Sequence, residues 1–369
     1  MRRSTFIVAA PVALASLLSA VEAQAQSQTQ TQPQTPGEFR IYLENDSLLN
    51  PFPTRTDRYY THGTRLEWLR GEQSPDANFL PGVTHADWCS LVCGGGFRRG
   101  NVNAGYALGQ NMYTPQDISI AAPQPNDRPW AGHLYGSRIA SISYVEESLN
   151  AQRQDRIEVS LGIVGPASLA KELQTAWHKL DRDWVRPRGW DNQLRNEPIL
   201  QLRYETALRW PREDGGHADF IARVRGNLGN GLTSLEAEVT GRIGWNLSGF
   251  GVSTIQPGFA PAAAAMTGQT NALTGTRWLA SGNLFVRAGI KAVAHNITLD
   301  GNTFARNDIR IIRTPLVPEI AIGAELNLVG NFWLSYQFIH RGSEFARRNG
   351  RAAPAQEFGS VTLTLKTGN

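Results

Sequence analysis

Cysteine, charge of one sign and long apolar segments are all scarce in this sequence. Only 2 of its 369 residues are cysteine, which excludes a fold held together by many disulfides. Its formal net charge of +4 is too small for nucleic acid to be the expected partner. Beyond the first 25 residues, no apolar run approaches the roughly 18 residues that a transmembrane helix needs. A hydrophobic content of 41% nevertheless predicts a folded chain.

The first 25 residues have the features of a secretory signal peptide. Two arginines precede the apolar run 6–21, and small residues in an A-x-A pattern follow it. We therefore expect cleavage after Ala25 or Ala23. Residues 26–37 are polar and contain proline, which predicts a disordered leader, so that the folded domain is residues 38–369.

Apolar and polar residues then alternate along segments of about ten residues or more. In one of them Leu200, Leu202 and Trp210 share a face, and Arg203 and Glu205 lie on the other. An exported chain with no transmembrane helix is either soluble or crosses a membrane as a β-barrel. Strands of this length favour the barrel, since those of a soluble sandwich are usually shorter. A secreted or periplasmic all-β domain remains the alternative.

The alternation predicts an all-β fold, an antiparallel transmembrane β-barrel of about twelve strands. The even number is typical of bacterial barrels. The predicted strands are residues 38–47, 58–70, 102–112, 131–146, 155–165, 198–210, 218–228, 235–248, 283–298, 316–329, 331–342 and 357–367. Aromatic residues near strand ends are expected to form girdles at the membrane surfaces: Trp68, Tyr135, Trp210, Trp245 and Trp333. Charged residues on inward faces are expected to form an ion network in the lumen: Arg203, Glu205, Arg287 and Glu325.

Strand parity assigns the connections to the two sides of the membrane. With a periplasmic N-terminus, the connections 48–57, 113–130 and 166–197 are extracellular, and the inserts 71–101 and 251–276 are periplasmic. The first insert carries Cys89 and Cys93, which in an oxidising compartment form a local disulfide or remain free thiols.

The connection 166–197 contains the one convincing helix, predicted over residues 168–182. Ser168 is its expected N-cap. An apolar stripe is expected to pack the helix on the barrel rim: Leu169, Leu173, Trp177 and Leu180. Gln174 and His178, four residues apart, share a different face roughly 100° away, so that both can point at one ligand.

Several short motifs occur in a distinctive order. They are residues 44–46, 60–63, 110–115, 127–132, 164–166 and 189–193, the Gln174 to His178 spacing, and residues 294–302 and 343–345. In this order and spacing the chain resembles the outer-membrane lipid A 3′-O-deacylases. The resemblance covers essentially the whole mature chain.

This resemblance implies a function as well as a fold. It implies a twelve-stranded outer-membrane barrel that hydrolyses the 3′-O-linked acyloxyacyl ester of lipid A in the outer leaflet. Calcium is the implied cofactor, and the active site is implied to face the extracellular side. The implied partners are lipid A or lipopolysaccharide and outer-membrane lipids; no nucleic acid partner is expected, and a monomer is expected.

Family roles transfer to matching positions. His178 resembles the general base that activates water, and Asn45 and Asp46 resemble metal-site or water-orienting residues. Thr61 resembles a catalytic-site residue that faces them. Two further residues, Asp127 and Arg128, match a family position beside the phosphate-bearing head of the substrate.

General chemistry is consistent with such roles. Ester hydrolysis needs a base, for which an unperturbed imidazole has a suitable pKa of about 6.5. It also needs positive charge where the oxyanion develops, which calcium bound by hard oxygen ligands supplies. Because the sequence has neither a G-x-S-x-G nor an H-E-x-x-H motif, a serine α/β-hydrolase and a zincin are disfavoured.

The chain departs from the family pattern after the histidine. The family's active-site glutamate and tyrosine, six and eight residues beyond it, are replaced by Trp184 and Arg186. Asp181 or Asp183 is the candidate for the missing carboxylate, and Asp183 is the third expected metal ligand. Arginine suits phosphate recognition, so Arg186 and Arg188, together with Gln174, complete the expected substrate-binding residues.

Two other functions remain open. One is an outer-membrane phospholipase-type lipid hydrolase with a serine nucleophile beside a histidine; Thr61 in the hydroxyl position favours attack by water instead. The other is a non-catalytic barrel, either a porin or an inactive relative. The concentration of Asn, Asp, His and Gln in the early connections argues against a porin.

Overall fold

The computed structural model describes residues 37–46, 58–71, 74, 76–93, 101–180, 184–211, 217–247, 249–251, 254–255, 281–329 and 331–367. The predicted signal peptide, nearly all of the leader, the connection 48–57 and most of the insert 251–276 lie outside these residues.

Twelve antiparallel strands form a closed barrel. They are β1 (Gly37–Asn45), β2 (Tyr59–Arg70), β3 (Asn101–Thr114), β4 (Ala131–Glu146), β5 (Ala151–Val164), β6 (Glu197–Pro211), β7 (Ala218–Gly229), β8 (Leu232–Trp245), β9 (Ser281–Asn296), β10 (Leu316–Val329), β11 (Phe332–Arg341) and β12 (Gln356–Thr367). Each strand pairs with the next, and β12 closes the barrel on β1 from Gly37↔Thr367 to Asn45↔Gly359. The predicted barrel of twelve strands is confirmed.

In the described part of the chain, three helices and two short strand pairs lie outside the barrel sheet. The helices are α1 (His85–Val92), α2 (Ala170–His178) and α3 (Ile297–Asp300), with single 3₁₀ turns at Glu147–Leu149, Pro166–Ser168 and Trp190–Asn192. The pairs are Asn78–Leu80 with Val83–Thr84, and Ile311–Arg313 with Phe345–Arg347. Among the described residues, no helix combines the length and the hydropathy needed to cross a membrane.

Side-chain alternation places a polar network inside the barrel. Leu161 and Leu200 face outward and are exposed, whereas the charged residues between such positions are buried. In the lumen, the Arg65 guanidinium lies 2.9 Å from both Glu67 and Glu158. The four predicted lumen residues are all buried. Arg203 pairs with Glu205, and Arg287 pairs with Glu238 and Glu319. The side-chain amide of Asn283 donates to Glu325. This filled interior differs from the water-filled channel of a porin.

Parity also corrects part of the predicted aromatic girdle. Trp68 and Trp245 face outward and are exposed. Tyr135 and Trp333 instead face the lumen and are buried, and the Tyr135 ring stacks on His133 with centroids 4.9 Å apart. The prediction was wrong for these two residues because it considered only that they lie near strand ends. Whether a side chain faces the lumen or the outside depends on its position in the two-residue repeat of the strand.

The two ends of the barrel differ. We call the end where β1 finishes at Asn45 and β2 starts at Tyr59 the site end, and the opposite end the far end. A layer of buried apolar side chains crosses the lumen near the site end: Tyr60, Tyr113, Ala131, Val164, Leu194, Ile199, Leu232, Val293, Ile297, Val317, Ala321, Ile339 and Phe358. The cluster joins residues of the strands to residues of the connections at this end, such as Leu194 and Ile297.

The insert between β2 and β3 covers the outer wall at the far end. Phe79 and Trp88 of the insert pack on outward-facing residues of β3 and β4, which include Ala104 and Ile142. Thr84 starts α1 with a capping box, in which its hydroxyl accepts from the amide of Asp87 and the Asp87 carboxylate accepts from the amide of Thr84. The insert thus has a small apolar core of its own against the barrel.

A disulfide between Cys89 and Cys93 holds the end of α1, as one of the two sequence alternatives predicted. Closing so short a loop lowers the conformational entropy of the unfolded insert, which stabilises the folded insert by about 2 kcal/mol. We expect Cys89→Ser/Cys93→Ser to raise amide hydrogen exchange across residues 76–93 and to leave exchange in β8 and β9 unchanged. Equal exchange of the insert in both proteins would contradict this role of the disulfide.

Candidate functional site

Helix α2 lies against the outer wall of the barrel at the site end. Gly132 of β4 faces outward beneath it, and a Cβ atom at Gly132 would come within 2.3 Å of the Cβ of Ala170. The Gln110 side-chain amide of β3 donates to the Ser168 carbonyl at 2.6 Å. A buried apolar cluster joins α2 to the wall: Met112, Ile118, Trp130, Ala170 and Trp190. The helix therefore sits outside the lumen, on the face that other strands present to lipid.

The helix is shorter than predicted at both ends. A 3₁₀ turn, Pro166–Ser168, precedes it, and Leu169 then adopts a left-handed conformation with φ of 60° before α2 begins at Ala170. Ser168 is buried in this turn and does not cap the helix, so the predicted N-cap was wrong. Leu169 turns the chain towards the barrel wall. This turn could not be predicted from the helix propensities of the residues in α2.

The face of α2 that contacts the wall is also opposite to the prediction. Ala170, Gln174 and His178 are 1%, 4% and 4% exposed and face the barrel. The apolar stripe is the exposed part: Leu169 56%, Leu173 48%, Trp177 55% and Leu180 68%. The prediction that the apolar stripe packs on the rim was wrong because it assumed that water surrounds the helix. In water, the apolar face of a helix is the face that packs against the protein.

His178 is held in one orientation by its neighbours. Its Nδ1 lies 2.7 Å from the Val185 carbonyl oxygen, which can only accept a hydrogen bond. Nδ1 therefore carries the proton, and Nε2 is the basic nitrogen of the neutral ring. Trp184 meets the imidazole edge to face at 5.7 Å, and the Arg186 guanidinium donates to the His178 backbone carbonyl. The two positions that depart from the family pattern thus both contact this histidine.

Gln174 is fixed one turn before the histidine. Its Oε1 accepts a hydrogen bond from the Trp190 indole nitrogen at 2.7 Å. Trp190 itself stacks against Trp130 with ring centroids 4.9 Å apart. Gln174 therefore anchors α2 to the connection that leads to β6.

Asn45, Asp46 and Thr61 meet where β1 ends beside β2. The register of β2 against β3 shifts between Tyr60 and His62, which leaves Thr61 at a bulge. The Thr61 carbonyl accepts from the Asn45 side-chain amide at 2.9 Å and from the Asp46 backbone amide at 3.4 Å. The Thr61 hydroxyl lies 2.6 Å from that of Thr114. The structure thus brings together three of the four expected catalytic residues through direct contacts.

A cavity of about 770 Å³ lies at the site end; its lining does not include His178, Asn45, Asp46 or Thr61, but it includes neighbours of both groups. Val185, whose carbonyl holds His178, lines it on one side. Arg58, whose backbone amide donates to the Asp46 carboxylate at 2.7 Å, lines it on another. Three arginines reach this cavity, namely Arg58, Arg347 and Arg351. Because Asp117 and Asp127 also line the cavity, its positive charge is only slightly in excess, and its volume suits a large ligand.

Asp127 and Arg128 occupy different environments. Asp127 lines the cavity, and its carboxylate accepts from the Gln116 backbone amide at 3.2 Å. Arg128 is fully buried, with its guanidinium 2.7 Å from Glu344 and 2.8 Å from the Thr298 hydroxyl. These contacts engage Arg128 within the protein, so in this conformation it does not face the cavity.

The Arg128 and Glu344 pair predicts a response to acid. Burial alone would raise the pKa of Glu344, but the guanidiniums of Arg128 and Arg341 hold it below its ordinary value of 4.5. The pair therefore stabilises the fold fully above pH 4.5, and this contribution is lost as the pH falls towards the lowered pKa. We expect the thermal midpoint to fall more between pH 7 and pH 3.5 in the wild type than in Glu344→Gln. An equal fall of the thermal midpoint in the two proteins would contradict a stabilising role of the Arg128 and Glu344 pair.

The remaining predicted residues are only partly placed. The backbone amide of Arg188 donates to the Ile118 carbonyl at 2.9 Å, which ties its segment to the wall of the cavity. Asp181 and Asp183 lie outside the described residues. Within the described residues, no group of three or more His, Cys, Asp or Glu side chains is arranged to hold a metal ion.

The oxygen atoms of Asn45 and Asp46 nevertheless suit a hard cation. They offer an amide and a carboxylate on adjacent residues at the end of β1, where Asn45 is half-buried and Asp46 is buried, and calcium prefers such ligands, completed by carbonyls and water. The donor chemistry therefore fits calcium, although these two residues alone do not form a full coordination shell.

Sequence reasoning missed several residues of the site. Val185, Arg58 and Gln116 carry no motif, and they join the site only through folding of the connections. Arg347 and Arg351 had a signal, because the last connection concentrates arginine at positions 347, 348 and 351.

One solved structure among the comparisons with known proteins agrees with this architecture. The solved structure of LpxR from Salmonella typhimurium superposes with a TM-score of 0.64 at 17% identity and covers 89% of this chain and 99% of that chain. The β domain of the Bordetella autotransporter BrkA aligns over 90% of this chain and 99% of that chain, at 9% identity and a TM-score of 0.42. No curated protein matches at a significant level.

A family model settles the relationship. The model described as outer membrane protein LpxR matches residues 12–367, nearly the whole chain. The family expected from the sequence motifs is thereby confirmed. The chain belongs to the LpxR family of outer membrane proteins.

Proposed function

We propose that this protein hydrolyses the 3′-O-linked acyloxyacyl ester of lipid A in the outer leaflet of the outer membrane. The observation that carries the proposal is the position of His178. It lies between α2 and the outer wall of the barrel, with its ring oriented by the Val185 carbonyl. A base placed there is close to membrane lipid rather than to the contents of the lumen.

The residues of the site support attack by water. His178 Nε2 takes a proton from water as the water oxygen bonds to the ester carbonyl carbon. The tetrahedral intermediate then breaks its bond to the sugar oxygen, which receives the proton from His178. The products are a free carboxylic acid and a 3′-hydroxyl group on lipid A. Thr61, whose hydroxyl contacts Thr114 rather than a histidine, is assigned to orientation of the water and not to nucleophilic attack.

Calcium is part of the proposal. Asn45 and Asp46 would hold it with their side-chain oxygens, with Asp183 as a third ligand. When bound, calcium supplies the positive charge that stabilises an oxyanion. The chain's own contribution there is the bulge at Thr61, which fixes Asn45 and Asp46 beside each other.

The cavity supports recognition of the phosphate-bearing head. Arg58, Arg347 and Arg351 line it, and a guanidinium binds phosphate in a bidentate manner. Arg188 approaches the same wall through its segment. This assignment places the site end outside the cell, where the lipid A of the outer leaflet lies.

The test is hydrolysis of purified lipid A, and in a parallel reaction of phospholipid, by the folded protein in detergent, followed by mass spectrometry. With calcium we expect loss of one acyloxyacyl unit; with chelator we expect the rate to fall by about 10² or more, because oxyanion stabilisation is lost. Restored calcium should restore the rate. Phospholipid cleavage with intact lipid A would instead favour the phospholipase-type hydrolase, and no cleavage of either lipid would favour a non-catalytic barrel.

A further inference from the structure

The surface of α2 divides into three sectors. Ala170, Gln174 and His178 face the barrel wall. The apolar stripe, Leu169, Leu173, Trp177 and Leu180, is exposed on a second side. The third side is polar and includes Lys171, Glu172 and Lys179. At 100° per residue, the centres of these sectors lie about 105–135° apart around the helix axis, so no two of the sectors overlap.

We propose that the apolar stripe of α2 is seated among the acyl chains of the outer leaflet, and that α2 is an interfacial helix attached to the barrel wall. This inference deepens the proposed function by assigning the lipid-contacting surface of the same site. The occupant of the stripe is thus lipid hydrocarbon, not another protein segment.

Continuity with the outward-facing apolar belt supports this occupant. Leu161 and Leu200 pair across β5 and β6, the strands that α2 connects, and both are exposed. Each lies three residues from its strand end at Val164 or Glu197, which is a distance of about 10 Å along the strand. The belt therefore reaches almost to the helix, and the stripe continues it.

The polar sector fits the opposite side of an interfacial helix. Lys171 forms an ion pair with Asp191, and both side chains are well exposed. A helix with one apolar and one charged sector lies in the plane of the interface, with its apolar side in the acyl region. On α2 the remaining sector holds His178 against the wall. An ester of an outer-leaflet lipid can thus approach the base sideways, without leaving the membrane.

The proposal is tested by site-directed spin labelling of the full-length folded protein in vesicles of outer-membrane lipid. The two native cysteines pair with each other, so one introduced cysteine is labelled at a time. Leu173→Cys probes the stripe, Glu172→Cys probes the polar sector, and Leu161→Cys is the reference in the belt. The measured quantity is collision with dissolved oxygen relative to collision with a water-soluble nickel chelate. Folding of each labelled barrel is checked by its heat-dependent shift in gel mobility.

We expect the oxygen-to-nickel ratio at Leu173 to match that at Leu161 and to exceed that at Glu172 by about tenfold, because apolar oxygen enters hydrocarbon whereas the polar nickel chelate is excluded from it. A ratio at Leu173 equal to that at Glu172 would overturn the proposal. The readout needs no catalysis. A lipid-seated stripe in an inactive protein would therefore contradict the proposed function alone, and a water-exposed stripe in an active enzyme would contradict this inference alone.

Discussion

Replacing His178 by alanine is expected to reduce the rate of lipid A hydrolysis by about 10²–10⁴, which is the usual contribution of a general base. The loss should appear in kcat, because the imidazole acts on the water and not on binding of the substrate. Purified wild type and His178→Ala, assayed at saturating lipid A in detergent with calcium, provide the measurement.

A second histidine gives the matched control. His340 also lies near the site end, but its ring is half exposed and contacts Glu357 instead of the cavity. His340→Ala should keep the wild-type rate. If His178→Ala, folded by its gel mobility, retained more than a tenth of the wild-type rate, the assignment of the base would be wrong.

Moving α2 away from the wall is expected to have the second largest effect. In Gly132→Val the new side chain would collide with Ala170 and with the Ser168 hydroxyl, which lie 2.3 and 2.1 Å from the added Cβ position. A shift of α2 by about 1 Å costs about 10²-fold in rate when catalytic groups must be aligned. The measurement is the same lipid A assay, with barrel folding followed separately.

Gly136 provides the control on the same strand. It also faces outward, and an added Cβ would meet nothing closer than the Ala107 carbonyl oxygen at 3.9 Å. Gly136→Val should therefore be close to wild type in activity. Equal activity of the two valine variants would show that contact of α2 with the wall is not needed for catalysis.

The barrel was largely predictable because its causes are local. Alternation of side chains fixes which face of each strand is polar, and the polar faces of β2, β5 and β6 contain the buried Arg65, Glu158 and Arg203. The start of β5 shows the limit of this signal. The strand begins at Ala151, four residues before its predicted start, since pairing with β4 extends it through residues whose pattern is irregular.

The site was predictable in its motifs but not in its contacts. Asn45, Asp46 and Thr61 were expected to face one another, and hydrogen bonds join them. The orientation of α2 was not predictable from hydrophobicity, because a helix on the outside of a membrane barrel exposes its apolar side. The backbone carbonyl that orients His178 left no trace in the sequence, since any residue at position 185 offers a carbonyl.

The departures from the family pattern acquire a structural meaning. Where the family has glutamate and tyrosine, Trp184 lies against the His178 ring and Arg186 bonds to its backbone carbonyl. Both residues hold the segment around the histidine, whose Nδ1 is oriented by the Val185 backbone carbonyl.

The most direct test of the central claim is mass spectrometry of lipid A from cells that express the wild type or His178→Ala at equal levels of folded protein. The account predicts lipid A that lacks the 3′-linked acyloxyacyl unit in wild-type cells and intact lipid A in His178→Ala cells. Intact lipid A in both, with calcium present and the barrel folded, would contradict the account.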